Sequence, residues 1–254
     1  MKLYVFTLAA SSLFGLGFFT KKNPVPEFKT EPVIAPNTYK SFAVLELFTS
    51  EGCSSCPSAD NLLPQLAKLD PNVIVLSFHV DYWNRLGWTD PFSSAEFSER
   101  QREYGKQFKL ESIYTPQLVV NGEYQLVGSN RNTATQTIKN ALKENATIQV
   151  KINEVRKEAS AISISCEATG DLKKNDLFAA LVQKQAIINV KAGENNGSRL
   201  SHTNVVRSFI KKSLEQKLNF ELPVPKDIND NNWELILFTQ QKNDLKITGV
   251  ALYN

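Results

Sequence analysis

Ser50-Glu51-Gly52-Cys53-Ser54-Ser55-Cys56-Pro57 joins two runs of different periodicity. Before it, Phe42-Ala43-Val44-Leu45-Glu46-Leu47-Phe48 is apolar at nearly every position and of strand length. After it, Leu62, Leu63, Leu66 and Leu69 recur at helical spacing. The two cysteines therefore stand where a buried strand ends and a helix begins. Free amides and the positive end of the helix dipole favour a thiolate there. Pro57 fits the first turn, which has no internal partner for the donor that proline lacks. Cys53, at the helix start, is the expected attacking thiolate, and Cys56, one turn in, the resolving thiol. Exchange then passes through a mixed disulfide on Cys53 that Cys56 releases.

Two other readings of the pair are a half zinc site and an inert bridge. Zinc needs further ligands at comparable spacing, and the chain offers only Cys166, His79 and His202, none of them paired. With three cysteines at most one bridge forms within the chain, Cys53–Cys56, leaving Cys166 free. Cys166 alternates with Ile162 and Ile164 and reads as a small buried apolar residue.

The hydrophobic share of 42% and charged share of 22% describe a folded globular protein, and a net charge of +3 is too small to argue for nucleic acid or an anionic membrane. No cofactor is implied. Met1-Lys2 precedes an apolar run from Leu3 to Phe19 with small residues at Ala9-Ala10-Ser11-Ser12. Residues 1–22 thus read as a secretory signal peptide or, uncleaved, an N-terminal anchor, and 23–39 as a proline-rich linker. That expectation places the protein outside the cell or in the bacterial envelope, with protein thiols and disulfides as partners and no membrane contact beyond the anchor.

Beyond the cysteines, Val73 to Val80 is β-branched and apolar on both faces, as a central parallel strand is. An aromatic insert from Asp81 to Phe92 leads to an amphipathic helix over 93–108. Asn121-Gly122 between Gln117–Val120 and Tyr124–Val127 predicts a hairpin, and Asn130–Glu144 a last helix. Residues 40–146 accordingly read β-α-β-α-β-β-α. From 147 to 254 short alternating runs, among them Ile148–Ile152, Ile162–Cys166, Leu177–Val182 and Trp233–Phe238, predict a separate all-β antiparallel sandwich.

The order of the first half resembles the thioredoxin fold. That resemblance implies a thioredoxin-like α/β domain in which the Thr115-Pro116 bond is cis and faces the cysteines, with Thr115 offering its backbone to an extended substrate. More closely, the chain resembles a secreted thioredoxin-like family, domain-of-unknown-function family 1223. The residues that carry this are Glu46 through Pro57 with Ala59-Asp60, His79-Val80-Asp81-Tyr82-Trp83, Leu86-Gly87-Trp88, Asp90-Pro91-Phe92, Arg100-Gln101, Tyr114-Thr115-Pro116-Gln117 and Val119-Val120-Asn121-Gly122. Gly193-Glu194-Asn195, Gly197, Leu200, His202 and Asn204-Val205-Val206-Arg207 extend the likeness into the second half.

Five residues are the expected catalytic set: Cys53, Cys56, Thr115, Pro116 and Glu46. Glu46, a carboxylate in an apolar strand leading to the site, is the expected acceptor of the Cys56 proton. Trp83, Trp88 and Tyr114 are expected to contact substrate. The alternative is a non-enzymatic module, either an interaction surface on the sandwich or a copper site made by Cys53, Cys56 and His79. His202 and Arg207 read as structural.

Overall fold

The computed structural model describes residues 41–158, 160–229 and 231–253; the signal peptide or anchor and the linker expected over 1–39 lie outside the described residues. The first elements are β1 (Ala43–Thr49), α1 (Cys56–Leu66), β2 (Val73–His79), α2 (Ala95–Gln107), β3 (Gln117–Val120), β4 (Tyr124–Val127) and α3 (Arg131–Ala141). Their order is the expected one. Ser94 and Asn130 cap α2 and α3 by accepting from Glu96 N–H and Thr133 N–H. Asn121 and Gly122 both take positive φ, as the β3–β4 turn requires.

Seven strands follow: β5 (Gln149–Lys157), β6 (Ala161–Thr169), β7 (Asn175–Asn189), β8 (Arg199–Ser213), β9 (Lys217–Pro223), β10 (Trp233–Gln241) and β11 (Ile247–Tyr253). They overturn the expected fold class. A thioredoxin-like α/β domain followed by a separate antiparallel sandwich is not what forms. Instead one mixed sheet of eight strands runs β11-β10-β7-β8-β2-β1-β3-β4, and a second sheet holds β5-β6-β9. β8 docks parallel to β2 at Ser77↔Val205, and there Ser77 Oγ donates to the carbonyl of Thr203 while Asn204 Nδ2 donates to that of Val75. The open edge of β2 is thereby filled by the second half of the chain.

The cores show the same fusion. Phe48 and Phe78 from the first half share a cluster with Phe178, Phe209 and Phe238 from the second. Phe78 meets Phe209 edge-on at 5.2 Å, and Phe178 stacks on Phe238 at 5.2 Å. The β5-β6-β9 sheet closes over the β7, β10 and β11 part through Val150, Ile152, Ile164, Leu181 and Leu237. On the opposite face of the β1 region, α1 and α3 bury Leu62, Leu63, Leu66 and Ile138 against Ala43, Leu45 and Leu47. Each fully buried leucine contributes on the order of 2 kcal/mol. No helix among the described residues is long and apolar enough to cross a membrane.

Candidate functional site

β1 delivers the chain into a turn at Ser50–Ser55, and α1 begins at Cys56 with Pro57 in its first turn. Cys53 and Cys56 are joined in a disulfide with Cα atoms 5.4 Å apart. The Thr115–Pro116 bond is cis, as expected. Thr115 Oγ1 donates to Cys53 Sγ at 3.2 Å and accepts from Trp83 Nε1 at 2.8 Å. Ser55 Oγ also reaches Cys53 Sγ, at 3.4 Å. Cys53 and Cys56 are only 1% and 0% exposed, whereas Ser54 and Ser55 between them are open to solvent.

A strap from the second half holds this turn. β7 and β8 are long paired strands whose connecting loop carries Gly193 and Gly197 at positive φ. Asn195 Nδ2 donates to the carbonyls of both Glu51 and Cys53, at 2.8 and 2.9 Å. Glu194 Oε2 accepts from Ser54 N–H at 3.0 Å, and the side chain and this amide of Ser54 hold its carboxyl below the usual range. A Cβ on Gly52 would stand 3.0 Å from Cβ of Trp83, so Trp83 would have to give way to any larger residue there.

Beside the turn lies a buried polar cluster. His79 Nδ1 is 2.7 Å from Asp90 Oδ2, which also accepts from Glu51 N–H, while Asp90 Oδ1 accepts from Phe92 N–H. Burial pushes the Asp90 carboxyl up, but the His79 ring and these amides outweigh it and leave it below its ordinary value. His202, on β8, packs edge-on against His79 with ring centres 4.6 Å apart. Its nitrogens face Glu51 Oε1 at 3.5 Å and Asp60 Oδ1 at 3.7 Å. Burial opposes its protonation, yet the Asp60 and Glu51 carboxylates prevail and push its pKa to about 10. Trp88 Nε1 holds the other Glu51 oxygen at 2.7 Å, and Thr49 Oγ1 donates to Asp60 Oδ2.

Of the expected residues, Cys53, Cys56, Thr115, Pro116 and Trp83 come together. Glu46 is not at the cysteines. Strand alternation turns it to the α2 face, where Arg100 Nε lies 2.5 Å from its Oε2 and Tyr104 donates to its other oxygen. Trp88 supports Glu51 through its ring nitrogen, and the Tyr114 hydroxyl donates to Gln125 Oε1. His79 groups with Glu51 and Asp90; among the described residues it forms no ligand set with the two cysteines. The sequence motifs assign no role to Glu51, Asp60, Asp90, Glu194 or Asn195, and only a structural one to His202.

The profile of a family described as "Protein of unknown function (DUF1223)" matches residues 44–240. The chain belongs to this family. As a DUF1223 protein it is similar to two solved structures. One is protein AGR_C_4864 from Agrobacterium tumefaciens, 25% identical, with a TM-score of 0.63 over 83% of this chain and 93% of that one. The other is HBP35 of Porphyromonas gingivalis, 17% identical, with a TM-score of 0.58 over 84% of this chain and 75% of that one, which is a likeness of fold alone. No curated protein matches the sequence significantly.

Proposed function

We propose that this DUF1223 protein is a thiol–disulfide oxidoreductase of the cell envelope or exterior, exchanging its Cys53–Cys56 disulfide with protein thiols. The observation that carries the reading is the contact between Thr115 Oγ1 and Cys53 Sγ, next to the cis Pro116 and in the turn before α1, whose first residue is Cys56 and not, as expected, Cys53. A substrate thiolate attacks Cys53 Sγ, the Cys53–Cys56 bond breaks, and Cys56 leaves as a thiolate that takes up a proton. A second substrate thiolate then displaces Cys53, so the substrate is oxidised to a disulfide and the protein reduced to a dithiol. The reverse sequence uses the same atoms. Because both sulfurs are buried, the substrate must first displace the Glu194–Asn195 strap or the exposed Ser54–Ser55 turn.

The test is trapping. Cys56→Ser, incubated with a mixed-disulfide donor such as oxidised glutathione or an unfolded disulfide protein, is expected to hold the partner on Cys53, as read by mass spectrometry. Wild type is expected to release it. Cys166 is expected to stay unmodified, since burial pushes its thiol to about 11. Failure to form any adduct at Cys53, in protein shown to be folded, overturns the reading.

A further inference from the structure

The polar cluster next to the disulfide contains more unsatisfied groups than a hydrogen-bonded core accounts for. Glu51, His79 and His202 are fully buried, Asp90 is 2% and Asp60 5% exposed. Within this group Glu51 Oε1, His79 Nε2, both ring nitrogens of His202 and Asp60 Oδ1 have no hydrogen-bond partner. Four of these five atoms face one another as ion pairs, Glu51–His202 at 3.5 Å and Asp60–His202 at 3.7 Å, too long for good hydrogen bonds, and His79 Nε2 faces no partner among the described residues. The ion pairs made by Glu51, Asp60 and Asp90 run to histidine alone, among the described residues. Three buried carboxylates face two imidazoles, so the cluster lacks positive charge.

We propose that Glu51, His79 and His202 form a binding site for one divalent transition-metal ion, zinc being the best match to two imidazoles and a carboxylate. The distances fit that role. The 3.5 Å between Glu51 Oε1 and His202 Nε2 is long for a hydrogen bond. It matches two ligands of one tetrahedral ion, whose bonds of about 2.0–2.1 Å set them about 3.3–3.5 Å apart. Among the described residues Glu51, His79 and Asp90 form the group whose ligand atoms lie within 4.8 Å of one another, and His202 joins it through Glu51 Oε1 and through its ring, 4.6 Å centre to centre from that of His79. Asp90 takes His79 Nδ1 at 2.7 Å and leaves Nε2 free; Asp60 Oδ1 faces His202 Nδ1 at 3.7 Å, an ion-pair distance and not a hydrogen bond. His79 therefore has a hydrogen-bonded carboxylate behind it, the arrangement that fixes the tautomer of a metal-bound histidine, and His202 has Asp60 within ion-pair reach. Trp88 and the amides on Asp90 hold the remaining oxygens, so the ligand atoms are pre-oriented. Binding displaces protons from the cluster onto solvent and involves no redox step.

The site is independent of the exchange chemistry, and its test keeps the disulfide closed. Full-length oxidised protein is stripped with chelator in denaturant, refolded with and without Zn²⁺, and titrated with Zn²⁺ and with Co²⁺. The expected result is one tightly bound ion per chain, a raised melting temperature, and a visible Co²⁺ spectrum of nitrogen and oxygen ligation without thiolate charge-transfer bands. X-ray absorption of the zinc form is expected to show no sulfur neighbour. Asp90→Asn is expected to weaken binding about 10–100-fold, and His79→Gln or His202→Gln to weaken it further. Wild-type measurements decide the matter if the variants do not fold. Absence of binding by refolded oxidised protein overturns the proposal. So does a metal held only after the disulfide is reduced, with sulfur in its coordination shell, because the ion would then belong to the cysteines.

Discussion

Asn195 and Cys53 lie 142 residues apart in sequence, yet the side-chain amide of the first donates to the backbone carbonyl of the second at 2.9 Å. The same amide group holds Glu51 O at 2.8 Å, so one side chain fixes both sides of Gly52. The turn that presents the disulfide is therefore shaped by the second half of the chain. Asn195→Ala removes both bonds and leaves the Glu51 carbonyl without a partner, while the Cys53 carbonyl keeps the Cys56 N–H at 3.2 Å, a loss of about 1–3 kcal/mol. The melting temperature is expected to fall and the disulfide to be reduced faster by dithiothreitol, followed by quenched alkylation. A lowered melting temperature with an unchanged reduction rate would show that the strap supports the turn without controlling access to it.

Glu46 supplies the second prediction. Arg100 is 5% exposed, bonded to Glu46 and Gln240, and its guanidinium lies 4.9–5.6 Å from the ring centres of Phe78, Tyr104, Phe178, Phe209 and Phe238. Burial opposes the charge on Arg100, but Glu46 outweighs it, and the guanidinium stays ionised. Glu46→Gln leaves that charge without its counter-ion, a loss of about 3–5 kcal/mol. The expected signature is a large drop in denaturant midpoint with the pH profile of Cys56 release unchanged among folded molecules. A shifted profile would restore Glu46 to the exchange chemistry.

These two cases separate what the sequence made legible from what it did not. The short-range signals were readable: helical leucines after Cys56, the amphipathic helix after the aromatic insert, and Asn121-Gly122 as a turn. Strand positions in the second half were readable from alternation, although Leu177–Val182 proved to be only part of one longer strand, β7 (Asn175–Asn189). Sheet partnership was not readable, because β2 is apolar on both faces whether its edge meets a helix-flanked strand or β8. Glu46 misled for a related reason: a carboxylate in an apolar strand signals a buried partner without saying on which face it lies. One signal for the polar cluster was present. The chain has two histidines, and the fold sets their rings 4.6 Å apart.

Gly52→Ala tests the packing between the motif and the aromatic insert. The added methyl would lie 3.0 Å from Cβ and 3.3 Å from the carbonyl oxygen of Trp83, which bonds Thr115 through its ring nitrogen. Overpacking of this kind costs about 1–3 kcal/mol. The variant is expected to be destabilised and to show altered tryptophan fluorescence in the native baseline. A melting temperature equal to that of wild type would mean that Trp83 yields freely and does not fix Thr115.

Glu234 yields the pH prediction, away from the site. It sits on β10 opposite Val182, and burial raises its carboxyl to about 7, with Lys184 only partly opposing. Its folded pKa exceeds the ordinary value of 4.5, so between those two pH values the native state binds more protons than the unfolded chain. Stability from this group is therefore greatest below pH about 4.5, declines as pH rises toward about 7, and stays reduced above. Glu234→Gln keeps the shape of the protonated acid and removes the charge. It is expected to stabilise the protein at pH 8 by about 1–3 kcal/mol, a melting shift of roughly 2–10 °C, and to leave it unchanged at pH 4. Equal gains at both pH values would mean that better packing, not the avoided ionisation, is responsible; no gain at pH 8 would mean that the carboxylate reaches water when it ionises.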